Sequence, residues 1–226
     1  MKIFENFDLQ IPAAQGRSAE AEIEAREVVK LDDMRIGAEG SRWTRYLLAT
    51  LLDRSGKHDE AKVLIRQALR LNETALGAER AVTRNSRGNL ARNLWYQGKN
   101  PEAETQLREL IALNDKAMGP RAYLAENNMS SRLFEDLTPL TSLTLLANTL
   151  RDQKRYSEAE GEYKHVIALD EKVLGSDNHD TLDAYYNFAY QLGQQRKIKE
   201  AKVFAQRAAT GVLKIRGANN PYTRNT

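Results

Sequence analysis

The 226-residue chain holds three histidines, His58, His165 and His179, and no two of them stand four residues apart, the spacing that sets two imidazoles on one helix face for a metal. With no cysteine, the chain has no route to thiolate catalysis, cysteine zinc sites, cysteine-ligated iron–sulfur clusters or disulfides. Serines and threonines are plentiful, yet no Gly-x-Ser-x-Gly nucleophile elbow and no glycine-rich phosphate loop occurs. Carboxylates pair along many stretches, but they alternate with Lys and Arg as on a solvated face, and no pair is set apart for acid–base work. The sequence is therefore read as non-catalytic, with no metal and no cofactor. What remains is recognition. Trp, Tyr and Arg dominate binding hot spots, and the Asn amide offers both a donor and an acceptor to a peptide backbone.

The elements that must position such residues come from an internal repeat. A Glu-Ala pair recurs at Glu20-Ala21, Glu60-Ala61, Glu102-Ala103, Glu158-Ala159 and Glu200-Ala201, at spacings of 40, 42, 56 and 42. Seventeen residues after each Glu stands a glycine: Gly37, Gly77, Gly119, Gly175 and Gly217. A third marker, Ala49, Ala91, Ala147 and Ala189, precedes the second member of its pair by 12 residues. Within a period, Leu or Phe before that Ala and Leu three positions after it mark one apolar face of a first helix. A break follows near Gly56, Gly98, Lys154 or Arg196, and a second helix runs to the recurring Gly, which suits a left-handed C-cap. Asn100-Pro101 and Ser157-Glu-Ala-Glu160 are expected to start second helices, the latter through a capping box. One helical hairpin of this size cannot bury its apolar face, so the copies must stack as an all-α solenoid.

With the recurring Ala as origin and about 100° per residue, offsets −6, −2, +1 and +5 point away from the apolar face. They hold Trp43, Leu47, Thr50 and Arg54; Asn85, Asn89, Arg92 and Tyr96; Thr141, Leu145, Asn148 and Asp152; and Asp183, Asn187, Tyr190 and Gln194. On the flank, at offsets −3 and +4, come Tyr46, Thr144, Tyr186, Trp95 and Arg151. Trp43 and Trp95 fit either of two roles, as ligand anchors or as packing between repeats. Arg92 and Arg151 favour an acidic partner, and as surface groups both are expected to be removable with little effect on folding.

The residues Gly-Lys-His-Asp-Glu-Ala (56–61) and Arg-Tyr-Ser-Glu-Ala-Glu (155–160) resemble the turn and second helix of the tetratricopeptide repeat, in its kinesin-light-chain type of about 42 residues. Glu171 to Thr181 is similar to that family's linker between repeats. The paired Asn before Leu-Ala is kept in part, as Gly88-Asn89 and Tyr186-Asn187. The resemblance implies a right-handed superhelix whose first helices line a concave groove for an extended peptide or partner helix. It places Trp43, Tyr46, Thr50, Asn85, Asn89, Arg92, Trp95, Thr141, Thr144, Asn148, Arg151, Tyr186, Asn187 and Tyr190 at that groove.

The repeat pattern spans 17–226 as one domain: a half repeat at 17–37, repeats at 41–77, 81–119, 138–175 and 179–217, and a lead-in to a further repeat at 218–226. Residues 1–16 are a poor match for a first helix, and 120–137 is an insertion carrying enough apolar residues for a short extra helix. That insertion is either an elongated outer connection or a segment that meets the groove or a partner. Nine regular helices follow from this phase, with Ala61, Ala103, Ala159 and Ala201 at close helix contacts. On the last helix, Val203, Phe204, Val212, Leu213 and Ile215 are more apolar than a solvated end requires, so that face is expected to be covered.

Lys and Arg number 34 against 31 Asp and Glu, a net charge of +3 that is interleaved rather than concentrated, so nucleic acid is not an expected partner. No apolar run is long enough to span a membrane, and 1–16 lacks the plan of a signal peptide. The chain is read as cytoplasmic, with an exported protein that has lost its leader as the alternative. The functional expectation is a scaffold, adaptor or ligand-sensing arm, and the alternative is a module that self-assembles through its end helices.

Overall fold

Four turns in the chain share one backbone conformation although only two of them contain glycine. Gly56 and Gly98 take φ of 76° and 69°, and in phase with them Lys154 and Arg196 take 62° and 60°. A Cβ in this left-handed region costs roughly 1–2 kcal/mol, so the surrounding hydrogen bonds must enforce it. The same bond closes all four: Lys57 N to Leu52 O, Lys99 N to Leu94 O, Arg155 N to Leu150 O and Lys197 N to Leu192 O, at 2.8 to 3.0 Å. It is the six-to-one bond that satisfies an orphan carbonyl at a helix end.

The computed structural model describes residues 18–40, 42–118 and 139–216. Among them are nine helices and no strand: α1 Ser18–Gly40, α2 Arg42–Arg54, α3 His58–Leu76, α4 Ala81–Tyr96, α5 Asn100–Met118, α6 Pro139–Asp152, α7 Tyr156–Val173, α8 His179–Gln194 and α9 Ile198–Arg216. Thus α1, α3, α5, α7 and α9 are the second helices of successive repeats, and α2, α4, α6 and α8 the first. The chain divides into two compact units, residues 1–99 with α1 to α4 and residues 100–226 with α5 to α9. In each, a helix packs on its neighbours in the chain, as stacked hairpins must. Gly37 breaks α1 at φ 72° and ψ 173°, and Gly77 (φ 86°, ψ 160°) and Gly175 (φ 89°) stand at the ends of α3 and α7, also at positive φ. Gly119, Gly217, the expected extra helix at 120–137 and the terminal segments 1–16 and 218–226 lie outside the described residues.

One expected cap is not made. Helix α7 is entered from Arg155, which makes no side-chain cap, because the turn at Lys154 places Ser157 inside the first helical turn. The Arg155 guanidinium instead grips Glu158, at 2.6 and 2.7 Å. At α8 the cap is real and was not read from the sequence: the Asn178 side chain accepts from Asp180 N at 2.9 Å.

Cross-repeat ties recur in phase as well. The basic residue that follows each left-handed turn reaches the preceding repeat, as Lys57 to Glu22 (2.9 Å), Arg155 to Glu104 (2.5 Å) and Lys197 to Glu160 (2.7 Å). In the fourth case the acid is replaced by Lys62, and Lys62 and Lys99 share the Gln97 carboxamide oxygen. A second tie joins Asp33 to Arg45 (2.7 Å) and Glu73 to Arg87 (2.5 Å); at the last junction the Tyr185 hydroxyl donates to Glu171. Each of the ion pairs sets one largely buried partner, Glu22, Arg45, Arg87, Glu104 or Glu160, against one that faces solvent, and together they help to seat one repeat on the next.

The recurring alanines sit where the phase requires. Ala61, Ala103, Ala159, Ala91 and Ala147 are fully buried and Ala49 nearly so, among Leu48, Leu52, Leu90, Leu94, Leu146 and Leu150. Ala201 differs: it is half-buried, because among the described residues no helix follows α9. In the second unit the core is aromatic, with Tyr163 stacked on Phe188 at 5.5 Å and Phe188 edge-on to Phe204 at 4.8 Å.

Gly211 lets α8 and α9 approach closely. The repeat places Leu31, Leu71, Leu113 and Leu169 at this position in the other second helices, and here a Cβ would overlap Leu182 Cδ2 and lie 2.9 Å from Cδ1. Leu182 is buried and has nowhere to swing. Gly211→Ala is therefore expected to destabilise by about 1–3 kcal/mol through overpacking, although Ala is the better helix former. Gly161→Ala and Gly193→Ala, with open space around the new methyl, are expected to stabilise by about 0.5–1 kcal/mol. Urea titration of the three variants checks this, and a common sign for all three would refute the close contact.

Candidate functional site

In the second unit, the residues read from the sequence converge. Asn148 and Arg151 lie one turn apart on α6, and Arg151 Nη1 donates to Asn148 Oδ1 at 3.2 Å. From α7, the Tyr163 hydroxyl donates to the same Asn148 oxygen and accepts from Arg151 Nη1 at 3.3 Å. Burial pushes the Tyr163 phenol well above its ordinary range, so it stays a donor at physiological pH. Arg151 Nε bonds Asp152 at 2.8 Å, and its guanidinium lies 5.2 Å from the Tyr190 ring centre on α8.

Arg151 is consequently no freely removable surface charge. Only 8% of it is exposed, and truncating it would remove its bonds to Asn148, Tyr163 and Asp152 together. The expectation that its loss leaves folding intact is corrected on that ground. What this side presents to solvent is aromatic: Tyr186 is 64% exposed and Tyr190 52%. Asn187, Thr141 and Thr144 are half-buried, Leu145 is buried, and Asp183 and Gln194 are exposed.

In the first unit, Asn85, Asn89 and Arg92 follow one another up α4. Arg92 Nη2 donates to Asn89 Oδ1 at 2.7 Å. Asn89 is only 3% exposed, and its buried Nδ2 has no hydrogen-bond partner among the described residues. On α2, Tyr46, Leu47 and Thr50 are half-buried, and the Thr50 hydroxyl is turned back to Tyr46 O at 3.1 Å. The Trp43 side chain lies outside the described residues. Trp95 is half-buried against Tyr96, ring centres 5.3 Å apart, and Tyr96 stacks on His58 at 5.5 Å.

One cluster beside this face was not read from the sequence. His58 Nδ1 is 3.0 Å from Asp53 Oδ1, Asn93 Nδ2 donates to both Asp53 and the His58 carbonyl, and Gln97 Nε2 donates to that carbonyl at 3.1 Å. Burial raises the Asp53 carboxyl, and the bonds from His58 and Asn93 partly offset it. The cluster joins α4 to the preceding turn, and Gln191 does the same from α8 by donating to Tyr156 O at 3.1 Å. The two residues occupy the same repeat position, two after the recurring Ala, so the signal was in the phase. Among the described residues, no group of three or more His, Cys, Asp or Glu could hold a metal ion, and no helix is long and apolar enough to cross a membrane.

The sequence profile of the tetratricopeptide repeat matches residues 40–116 and 139–224. Among solved structures, the chain is similar to nearly identical TPR-like repeats of the kinesin light chain type from Podosopora anserina, in two crystal structures. The first, of a form carrying a substitution to methionine, has TM-score 0.73 at 20% identity, covering 92% of this chain and 92% of that one. The second has TM-score 0.71 at 20% identity, with coverage of 93% and 94%. BtubC (BKLC) from P. vanneervenii follows at TM-score 0.63 and 17% identity, covering 92% of this chain and 74% of its own. No curated protein matches the chain by sequence.

Proposed function

Because the chain belongs to the tetratricopeptide repeat family, whose members typically are non-catalytic protein-interaction scaffolds, we propose that it binds an extended peptide or partner helix along the faces of its first helices. The observation that carries this reading is the pair of exposed tyrosines on α8, Tyr186 and Tyr190, one of which lies beneath the held guanidinium of Arg151. Exposed, rigid aromatics next to a fixed cation and Asn amides form the composition of a hot spot. In the second unit the face comprises Thr141, Thr144, Asn148, Arg151, Tyr186, Asn187 and Tyr190. In the first it comprises Trp43, Tyr46, Thr50, Asn85, Asn89, Arg92 and Trp95.

Arg92 and Arg151 favour an acidic ligand or a carboxylate. The test uses labelled extended peptides, one acidic and one basic, each with an apolar anchor residue. The acidic peptide is expected to bind and the basic one not to. Tyr186→Ala with Tyr190→Ala is expected to weaken binding by about tenfold or more, while the unfolding free energy shifts by no more than about 1 kcal/mol, since both side chains are mostly in solvent. Equal affinity for both peptides refutes the acidic preference. A double variant that binds as wild type moves the site off α8.

A further inference from the structure

Three polar side chains meet in the hairpin of α6 and α7 at positions where the repeat does not require them. Tyr163 is fully buried, and in phase with it on the other second helices stand Ala25, Ile65, Leu107 and Ala205, none of which carries a polar group. In phase with Asn148 stand Thr50, Arg92 and Tyr190, and in phase with Arg151 stand Asp53, Trp95 and Gly193. Phenylalanine would fill the Tyr163 position equally well, since the ring stacks on Phe188 at 5.5 Å. Burying a hydroxyl is costly unless it is bonded, so the reason for tyrosine lies in what the hydroxyl bonds.

It bonds the Asn148 carboxamide. Oδ1 accepts from both the Tyr163 hydroxyl and Arg151 Nη1, which fills the two lone pairs of an amide oxygen. A guanidinium can only donate, so the atom that faces Arg151 has to be the oxygen, and the carboxamide has one orientation. The Tyr163 hydroxyl also accepts from Arg151 Nη1 at 3.3 Å, so each of the three side chains is bonded to the other two. Nδ2 is the atom left over. Among the described residues it makes no hydrogen bond, and unlike Asn89 Nδ2 it is not sealed from solvent.

We propose that Tyr163, a second-helix residue outside the recognition face, is a positioning residue for that face: with Arg151 it turns the Asn148 carboxamide so that a ligand meets N–H and not C=O. The proposal rests on the reading of this face as a peptide site, and it narrows the ligand. The second-unit face selects a ligand that brings an acceptor such as a side-chain carboxylate to Asn148. A ligand that brings a donor sets N–H against N–H and is rejected.

Two variants test it with the acidic and basic peptides named above. Tyr163→Phe removes the hydroxyl and keeps the ring. Asn148→Asp keeps an acceptor for Arg151 and Tyr163 but replaces the outward amino group by oxygen, and the two equal oxygens of a carboxylate leave no orientation for Tyr163 to set. Circular dichroism and thermal melts establish that each variant is folded. Without ligand, the Asn148 side-chain amide signals in proton–nitrogen correlation spectra, identified as the pair missing from Asn148→Asp, are expected to move in Tyr163→Phe. Adding the acidic peptide to the wild type is expected to shift the same pair. Tyr163→Phe is expected to lower affinity for the acidic peptide by about three- to tenfold, and Asn148→Asp by about tenfold or more while raising that for the basic one. In the Asn148→Asp background, adding Tyr163→Phe is expected to change either affinity by less than about twofold, which a general loosening of α7 would not do.

Asn148 signals that stay in place in Tyr163→Phe refute the positioning role with no ligand needed. Equal losses from Tyr163→Phe with and without Asn148→Asp reduce Tyr163 to a packing residue. If both variants bind as wild type while Tyr186→Ala with Tyr190→Ala still weakens binding, the peptide-binding reading stands and this inference falls. A wild type that binds neither peptide overturns both.

Discussion

Asp170→Asn is expected to stabilise the protein by about 2–4 kcal/mol at pH 8 and to have almost no effect near pH 4. Asp170 is 1% exposed near the end of α7, and its Oδ1 has no hydrogen-bond partner among the described residues. Burial, with the nearby Asp180 charge, pushes its carboxyl up to about 7. The repeat explains the anomaly. In phase with Asp170 stand Asn72 and Asn114, both buried, and Asn72 Nδ2 donates to Ser86 Oγ at 2.9 Å. Fourteen residues after Asp170, where Ser86 stands relative to Asn72, is the buried Ala184, which has no hydroxyl.

The sign follows from proton linkage. Between about pH 4 and 7 the folded chain holds a proton that an unfolded aspartate, at about 3.9, has already released. This group therefore contributes a loss of stability as pH rises through that window, and a constant penalty above it. At about 1.4 kcal/mol per tenfold, the ceiling is roughly 4 kcal/mol. Glu22 acts in the opposite sense, since its bond from Lys57 holds its carboxyl low, so stability from that pair is lost as pH falls. Subtracting denaturation curves of Asp170→Asn from those of wild type isolates the one group. Ala184→Ser, which returns the missing hydroxyl, is expected to recover part of the same gain at pH 8. Parallel stability curves for wild type and Asp170→Asn from pH 4 to 8 would mean that Asp170 is ionised in the fold at no cost.

Ala103→Leu is expected to cost about 1–3 kcal/mol, and Ala201→Leu no more than about 0.5 kcal/mol. Both follow the same Glu in the same repeat phase, but Ala103 is fully buried and Ala201 is half in solvent. A close-packed interior has no room for three more carbons without off-rotamer neighbours or a backbone shift. Thermal melts of the two variants against wild type decide it. An Ala103→Leu variant that melts like wild type would break the link between repeat phase and helix contact on which the packing scheme rests.

The helices and their order were legible in the sequence because their causes are local. The positive-φ glycines Gly37, Gly77 and Gly175, and the apolar face around Ala49, Ala91, Ala147 and Ala189, are set by residues within a turn or two of one another, and repetition made them visible. Which residue types stand on the faces of the first helices was equally legible. Their availability was not. Spacing set Arg151 on the flank of a first helix as a surface cation, but its burial comes from Tyr163 on the paired helix and Tyr190 on the next first helix. Lys154 and Arg196 adopt a glycine-like φ because the six-to-one bond across the turn demands it, which no propensity at those residues announces. The same holds at Asp170 and Gly211: the sequence by itself determined which repeat position each occupies, and only tertiary packing decided that one lacks a hydroxyl partner and the other has Leu182 where its Cβ would be. Local chemistry recurs along a chain and can be counted, whereas burial and partnership depend on side chains brought in from other helices.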